Sequence, residues 1–247
     1  MTESTLDVSS LRLEREFVHD VYDNIADHFS RTRYKPWPRV ERFVDSLSIG
    51  SLLLDVGCGN GKYMTIRKTN ELAVIGCDRS QSLLQICRQK QLESVVSDCL
   101  NLSSFRPQFD AILCVAVLHH LSTEERRRKA IQQIIDCLSI GGKALITVWA
   151  FEQNKNGSQS HYIRKESQKE PQIHSKTGLC LHVGGTAFTD QEVLVPFANK
   201  THLRYYHVFR EGELEGLVSG IKSAELEEVF YESGNHGIVL TKTRFIQ

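Results

Sequence analysis

The chain has 247 residues, equal numbers of basic and acidic side chains (30 Lys plus Arg, 30 Asp plus Glu) and 40% hydrophobic residues. This length suits one large α/β domain with a substantial core, and the zero net charge argues against a general attraction to nucleic acid or membrane, so charge recognition must be local. Seven cysteines without a CxxC pair speak against a disulfide framework or a zinc cluster; no signal-peptide pattern is visible, and the longest apolar run, Ala111 to Leu118, is eight residues. A soluble protein of the cytoplasm, and of the nucleus as well, with no bound metal and no membrane contact, is expected.

Residues 11 to 29 place Phe17, Val21, Ile25 and Phe29 four apart, with Val18 and Tyr22 alongside, which predicts a helix packing through one apolar stripe. Pro36 and Pro38 then keep Arg31 to Arg39 extended, so 11–40 reads as an N-terminal helix followed by a basic loop. Apolar strands are predicted at Leu52 to Val56, Ala73 to Asp78, Ser94 to Asp98, Asp110 to Val117 and Lys143 to Trp149, with helices between them. Ser122 and Glu125 form a capping box ahead of Ile131, Ile134, Ile135 and Leu138, and Gly141-Gly142 closes that helix. Strands without polar alternation, separated by helices, indicate a parallel sheet covered on both faces.

Residues 152 to 180 are rich in Gln, Asn, Ser, Lys and Glu and cannot bury enough surface to offset their ordering entropy, so a mobile insertion is expected there. Ala224 to Tyr231 and Gly237 to Thr243, joined by Ser233-Gly234-Asn235, read as a closing hairpin. The expected fold is a single α/β domain spanning 1–247, a doubly wound, seven-stranded, mostly parallel sheet with a C-terminal antiparallel hairpin.

The chemistry concentrates at the ends of these strands. Leu52 to Tyr63, LLLDVGCGNGKY, runs a strand into a glycine-rich turn, but Lys62 stands where a GxGxxG register needs its third glycine, which argues against a dinucleotide. Asp55 would repel a pyrophosphate yet suits a cofactor with an ammonium and a sulfonium, as in S-adenosylmethionine. In that reading Asp55, Gly57 and Gly59 cradle the amino-acid part, Asp78 takes the ribose hydroxyls, and Asp98 with the backbone at Cys99 meets the adenine. Any one of these acids alone reads as an ordinary turn or helix-cap residue. The fourth strand delivers His119 and His120 to the same face, one of which lines the site. An Asn-Pro-Pro-Tyr motif is absent there, which disfavours nitrogen as nucleophile. Arg31 to Arg39 (with Tyr34 and Trp37) and Lys200 to Arg210 (with Arg204, Tyr205, Tyr206 and His207) combine cations with rings, a pattern suited to unpaired RNA and also to a solvated charged face.

The order DVGCGNGKY, GCDRS, VLHHLST, GGKALITVWA, VLVPF and RYYHVFREGEL, together with TRYKPWPRV, resembles the eukaryotic tRNA wobble-uridine carboxymethyl methyltransferases over roughly residues 15 to 245. It looks like their stand-alone form, similar also to the methyltransferase domain fused to a dioxygenase in animals. The resemblance implies a class I S-adenosylmethionine-dependent methyltransferase that esterifies 5-carboxymethyluridine at the wobble position of the tRNA anticodon loop. It further implies a small zinc-binding activator subunit that pairs with the sheet edge near 93–97. The cofactor set it implies is Asp55, Gly57, Cys58, Gly59, Asp78, Arg79, Asp98, Cys99 and Val115. On the substrate side it implies His119 for orientation, Arg33 and Arg210 as anion clamps, and Tyr206 or Trp37 as a stacking surface, with Arg31, Lys35, Trp149, Arg204 and Tyr205 in contact with the RNA. A carboxylate of another molecule as methyl acceptor, or an RNA-binding relative without turnover, are the competing readings.

Overall fold

The computed structural model describes residues 3–33, 35–67, 71–105, 108–155, 158–160, 162–163, 172–197 and 201–244. Tyr34, Lys200 and much of the 152–180 segment lie outside the described residues. The N-terminal helix runs as α1 (Glu3–Glu14), a π-helical turn (Arg15–His19) and α2 (Asp20–Thr32), followed by α3 (Pro38–Asp45). Pro38 opens α3, where its missing N–H has no helical partner to lose.

A central sheet then builds up from β1 (Leu52–Val56), β2 (Ala73–Asp78), α4 (Gln81–Gln89), β3 (Ser94–Val96), β4 (Phe109–Val115), α5 (Glu124–Cys137) and β5 (Leu138–Trp149). Short pairs follow as β6 (Asn154–Lys155), β7 (Ser158–Gln159), β8 (Gln172–Ile173) and β9 (Cys180–Leu181), then β10 (Glu192–Phe197), β11 (His202–His207), α6 (Glu213–Val218), β12 (Ala224–Glu232) and β13 (Asn235–Lys242). The large sheet has seven strands in the order β12-β13-β5-β4-β1-β2-β3. β1 to β5 are parallel, and β13 and β12 close the sheet antiparallel. The order reverses between β1 and β4, which places a crevice beyond the carboxyl ends of those two strands.

Both sheet faces are covered, which is why these strands read as continuous apolar runs. Leu53, Leu113 and Leu145 face α3 through Val40 and Val44, while Leu54, Ile112 and Ile146 face α5 through Ile131 and Ile134. A second, four-stranded sheet, β11-β10-β9-β8, packs on the N-terminal helix through Phe17, Val18, Leu194 and Tyr205. This sheet is the main element absent from the sequence reading, which took the β11 residues only as a basic and aromatic segment.

The helix boundary at α5 also differs from expectation. Thr123, not Ser122, is the N-cap, its hydroxyl accepting from the Arg126 N–H. Ser122 is taken instead by Glu14, whose Oε1 accepts from the Ser122 N–H at 2.7 Å and the Ser122 hydroxyl at 2.8 Å. The helix ends at Cys137 and passes straight into β5, so Gly141-Gly142 belongs to the strand. A Cβ on Gly142 would lie 2.8 Å from the Phe109 carbonyl and 2.9 Å from that of Ser139, so only glycine fits where β4 and β5 shift register.

The two sheet edges differ. β3 presents exposed Val95 and Val96, whereas β12 carries Glu227 and Glu228 paired with Lys143 and Arg39.

Glu14 is 1% exposed and also receives Arg126, through Nε at 2.9 Å and Nη2 at 2.6 Å, so one carboxylate fastens the N-terminal helix to the start of α5. Glu14→Ala is expected to lower unfolding free energy by about 2–3 kcal/mol, the cost of stripping charge-assisted bonds from a largely buried guanidinium; a urea midpoint unchanged within error would show that the fastening contributes nothing.

Candidate active site

A cavity of about 770 Å³ opens at the carboxyl ends of the parallel strands. The loops after β1, β2, β3 and β4 form its floor, the N-terminal helix roofs it through Glu14, Val18, His19, Tyr22 and Asp23, and β11 with the β12–β13 turn closes the far end.

At the near end the glycine turn is anchored by the Gly57 and Cys58 N–H groups donating to the Cys77 carbonyl at 2.7 and 3.0 Å. Gly57 has φ +72°, and a Cβ there would lie 2.3 Å from Val117 Cγ2, so the backbone itself is the cavity surface. Asp78 accepts from the Gly59 N–H and the Ser80 N–H, each at 2.8 Å, using one lone pair on each oxygen and leaving others for a ligand. Asp98 accepts from Leu100 N–H at 2.9 Å and pairs with Arg79 Nη1 at 2.5 Å. Cys58, Gly59, Cys99 and Val115 join the lining. This donor set fits a cofactor with a diol, an exocyclic amine and a positive charge.

Asp55 requires a correction. It is not on the cavity wall but buried behind the turn, 1% exposed, with one carboxylate oxygen lacking any partner. Burial, reinforced by the Asp78 charge, raises its pKa to about 7. Its carboxyl can thus reach a ligand in the cavity only through the turn, without direct contact. Lys62, which breaks the dinucleotide register, lines the cavity instead, its ammonium over the rings of Tyr63 (4.2 Å) and Trp37 (5.6 Å); burial lowers its pKa to about 8.

The far end is aromatic. Tyr206 stacks on Trp149 with centroids 4.6 Å apart, and both rings approach His119. His119 Nδ1 accepts from the Trp149 N–H at 3.1 Å, which leaves its proton on Nε2. His120 Nδ1 lies 2.8 Å from the Tyr205 carbonyl, so that nitrogen donates and Nε2 accepts from the Tyr22 hydroxyl at 2.9 Å. Burial lowers the pKa of both, to about 3 for His120, so both rings are neutral. Both line the cavity, with His119 touching the aromatic wall and His120 spent on holding the structure.

Of the other residues expected on the substrate side, Arg33, Lys35 and Trp37 line the mouth and Arg204 lines the far end. Three do not reach the cavity. Tyr205 points the other way because side chains alternate along β11, and its hydroxyl donates to Glu192. Arg210 is exposed, its Nε donating to Gln191 at 3.0 Å and its guanidinium lying 4.1 Å from the Phe151 centroid. Arg31 is exposed on the last turn of α2 and forms no part of the lining. The sequence reading missed Tyr22, Lys62, Gln153, Ser160, Tyr162 and Asn235, all on the cavity wall. Tyr22 was hidden within an apolar stripe that periodicity assigns to packing, and Gln153 and Ser160 within a segment whose composition argues against burial.

A class I S-adenosylmethionine-dependent methyltransferase fold is defined by this sheet order and its site. Residues 54–146 match the model of a methyltransferase domain, and a solved S-adenosylmethionine-dependent methyltransferase from Clostridium acetobutylicum superposes with TM-score 0.58 at 14% identity, over 90% of this chain and 98% of that one. A curated tRNA (carboxymethyluridine(34)-5-O)-methyltransferase of Schizosaccharomyces pombe is 38% identical, over 94% of this chain and 99% of that protein. The chain belongs to that family. A Xenopus tropicalis relative carrying the same description is 40% identical over 93% of this chain, and the chain spans only 41–46% of the length of the animal relatives of that description.

The carboxyl at Asp55 is protonated in the empty protein below its pKa of about 7 and must ionise to stabilise a cationic cofactor. Affinity for S-adenosylmethionine should therefore tighten between pH 6 and pH 8, by up to about tenfold. Calorimetry across that range checks this, and Asp55→Asn should remove the dependence; a dependence that survives the substitution has another origin.

Proposed function

We propose that the chain transfers a methyl group from S-adenosylmethionine to the carboxylate of 5-carboxymethyluridine at the tRNA wobble position, giving the methyl ester. One observation carries this reading: neither histidine at the reaction end of the cavity has a lone pair to offer. His119 uses Nδ1 on the Trp149 N–H, and His120 has both nitrogens committed. A neutral hydroxyl or protonated amine would need a base, whereas a carboxylate with a reference pKa near 4 is already a nucleophile at neutral pH.

When bound along Asp78, Asp98 and the glycine turn, S-adenosylmethionine would supply a methyl on sulfur, and a carboxylate oxygen could take it as the methyl–sulfur bond breaks, with the sulfonium charge neutralised and no proton to move. The protein's part is aim. The His119 Nε2–H is a neutral donor able to hold one carboxylate oxygen, and the stacked Trp149 and Tyr206 rings offer a face for a base. Arg33, Lys35 and Lys62 at the mouth suit backbone phosphates.

The reading includes a partner. β3 ends the large sheet with Val95 and Val96 exposed, a surface suited to strand addition by the small zinc-binding activator subunit that the family resemblance implies.

The test is transfer of labelled methyl to an anticodon stem-loop carrying 5-carboxymethyluridine, beside one carrying plain uridine, with nucleoside mass spectrometry of the product. Transfer is expected only to the former, with kcat at saturating cofactor and RNA flat between pH 6.5 and 8.5, because the transfer itself needs no general base. Methylation of the unmodified loop, or a bell-shaped kcat profile, would defeat the reading.

A further inference from the structure

The geometry points to Arg204 as the group that receives the substrate's carboxylate, pairing with it inside the cavity and selecting an acidic substituent on the base over a neutral one. This assignment rests on the methyl-transfer reading above and replaces Arg33 and Arg210 as the anion clamp.

Arg204 is 4% exposed and lines the cavity, yet no ion pair joins it to an aspartate or glutamate among the described residues, and its Nε has no hydrogen-bond partner. Its surroundings are aromatic: the guanidinium lies 5.0 Å from the Phe197 centroid and 5.2 Å from that of Tyr206, donates a hydrogen bond to the Tyr22 phenol and has Tyr162 nearby, but no carboxylate among the described residues. Burial holds the Tyr206 and Tyr162 hydroxyls protonated, so neither serves as a counter-ion. Arg79, Arg126 and His207, by contrast, have carboxylate partners, Asp98, Glu14, and Glu192 with Glu213. A desolvated guanidinium without an anion is costly to keep, and an arriving carboxylate relieves that cost.

Placement agrees with the chemistry. Alternation along β11 puts Arg204 and Tyr206 on one face, and Tyr206 stacks on Trp149, whose backbone N–H fixes His119. Guanidinium, stacking surface and His119 Nε2–H thus belong to one wall. A carboxylate on a stacked base can place one oxygen on Arg204 and His119 and leave the other for the methyl group. Arg33 sits exposed at the mouth with its Nη1 on the Thr32 carbonyl, and Arg210 lies outside the lining.

The test measures binding of two anticodon stem-loops by the full chain, with S-adenosylhomocysteine present to prevent transfer. One carries 5-carboxymethyluridine, the other its neutral amide, 5-carbamoylmethyluridine. The wild type is expected to prefer the acid by about 30-fold or more, and Arg204→Gln to reduce that preference to about threefold or less while cofactor affinity stays the same. Arg204→Lys should retain an intermediate preference, because an ammonium is a single point where the guanidinium is a fork. A glutamine variant that keeps the full preference overturns the assignment. Should that variant not fold, the lysine variant decides, with an unaltered preference counting against Arg204 and a drop of about fivefold or more supporting it. In a separate reaction with S-adenosylmethionine, a wild type that fails to methylate the 5-carboxymethyluridine stem-loop sinks the methyl-transfer reading itself, and the clamp with it.

Discussion

His120 is the fastening on which the rest of the site depends. Its Nδ1–H reaches the Tyr205 carbonyl on β11 and its Nε2 receives the Tyr22 hydroxyl from the N-terminal helix, partners 85 and 98 residues away in the chain. Three separate pieces, the loop after β4, the second sheet and the roof, are thereby held at fixed spacing around one ring. Because the ring is buried and neutral, this fastening keeps its hydrogen-bond pattern throughout the physiological pH range. Its neighbour His119 is held equally firmly by the Trp149 N–H, and the two rings lie 4.5 Å apart, edge to face.

Around this fixed centre the cavity is electrically divided. Carboxylates of Asp78 and Asp98, with Asp55 behind the turn, occupy the end where the strands finish; Arg204 occupies the other, and Lys62 and Arg33 the mouth. Such a division favours a cation and an anion meeting head-on between the two ends, with water largely displaced by aromatic rings. Low local dielectric strengthens both attractions and leaves little reorganisation for the reaction itself.

The parallel half of the fold is legible in the sequence for a physical reason. β1 is buried from Leu53 to Val56 and β2 is covered toward its carboxyl end at Gly76 and Cys77, so both runs stay apolar until the acids near their ends, Asp55 and Asp78. The second sheet is illegible for the converse reason. HLRYYH alternates between a buried guanidinium and phenol on one face and an acid-bound tyrosine and histidine on the other, and a buried Arg204 looks, in one dimension, like a solvated one. Ser122 fails as a cap for a similar cause, since Glu14, 108 residues upstream, outcompetes the local helix for its hydroxyl. Where local chemistry decides the structure the residues speak for themselves; where a distant partner decides it they do not. The same holds for Tyr22, whose position in an apolar stripe conceals a hydroxyl spent on His120.

The unlike edges of the large sheet have a consequence for assembly. On β12, Glu227, Glu228 and Glu232 are paired with Lys143, Arg39 and Arg42, and Glu225 adds further charge, so a strand approaching that side meets a row of charged side chains. On β3 the bare backbone is flanked by two exposed valines. Head-to-tail continuation of the sheet from copy to copy would bring the open β3 side of one molecule against the charged β12 side of the next, which disfavours it. The charged β12 edge therefore works against fibre-like growth of the sheet, and the β3 edge is the side left open for pairing.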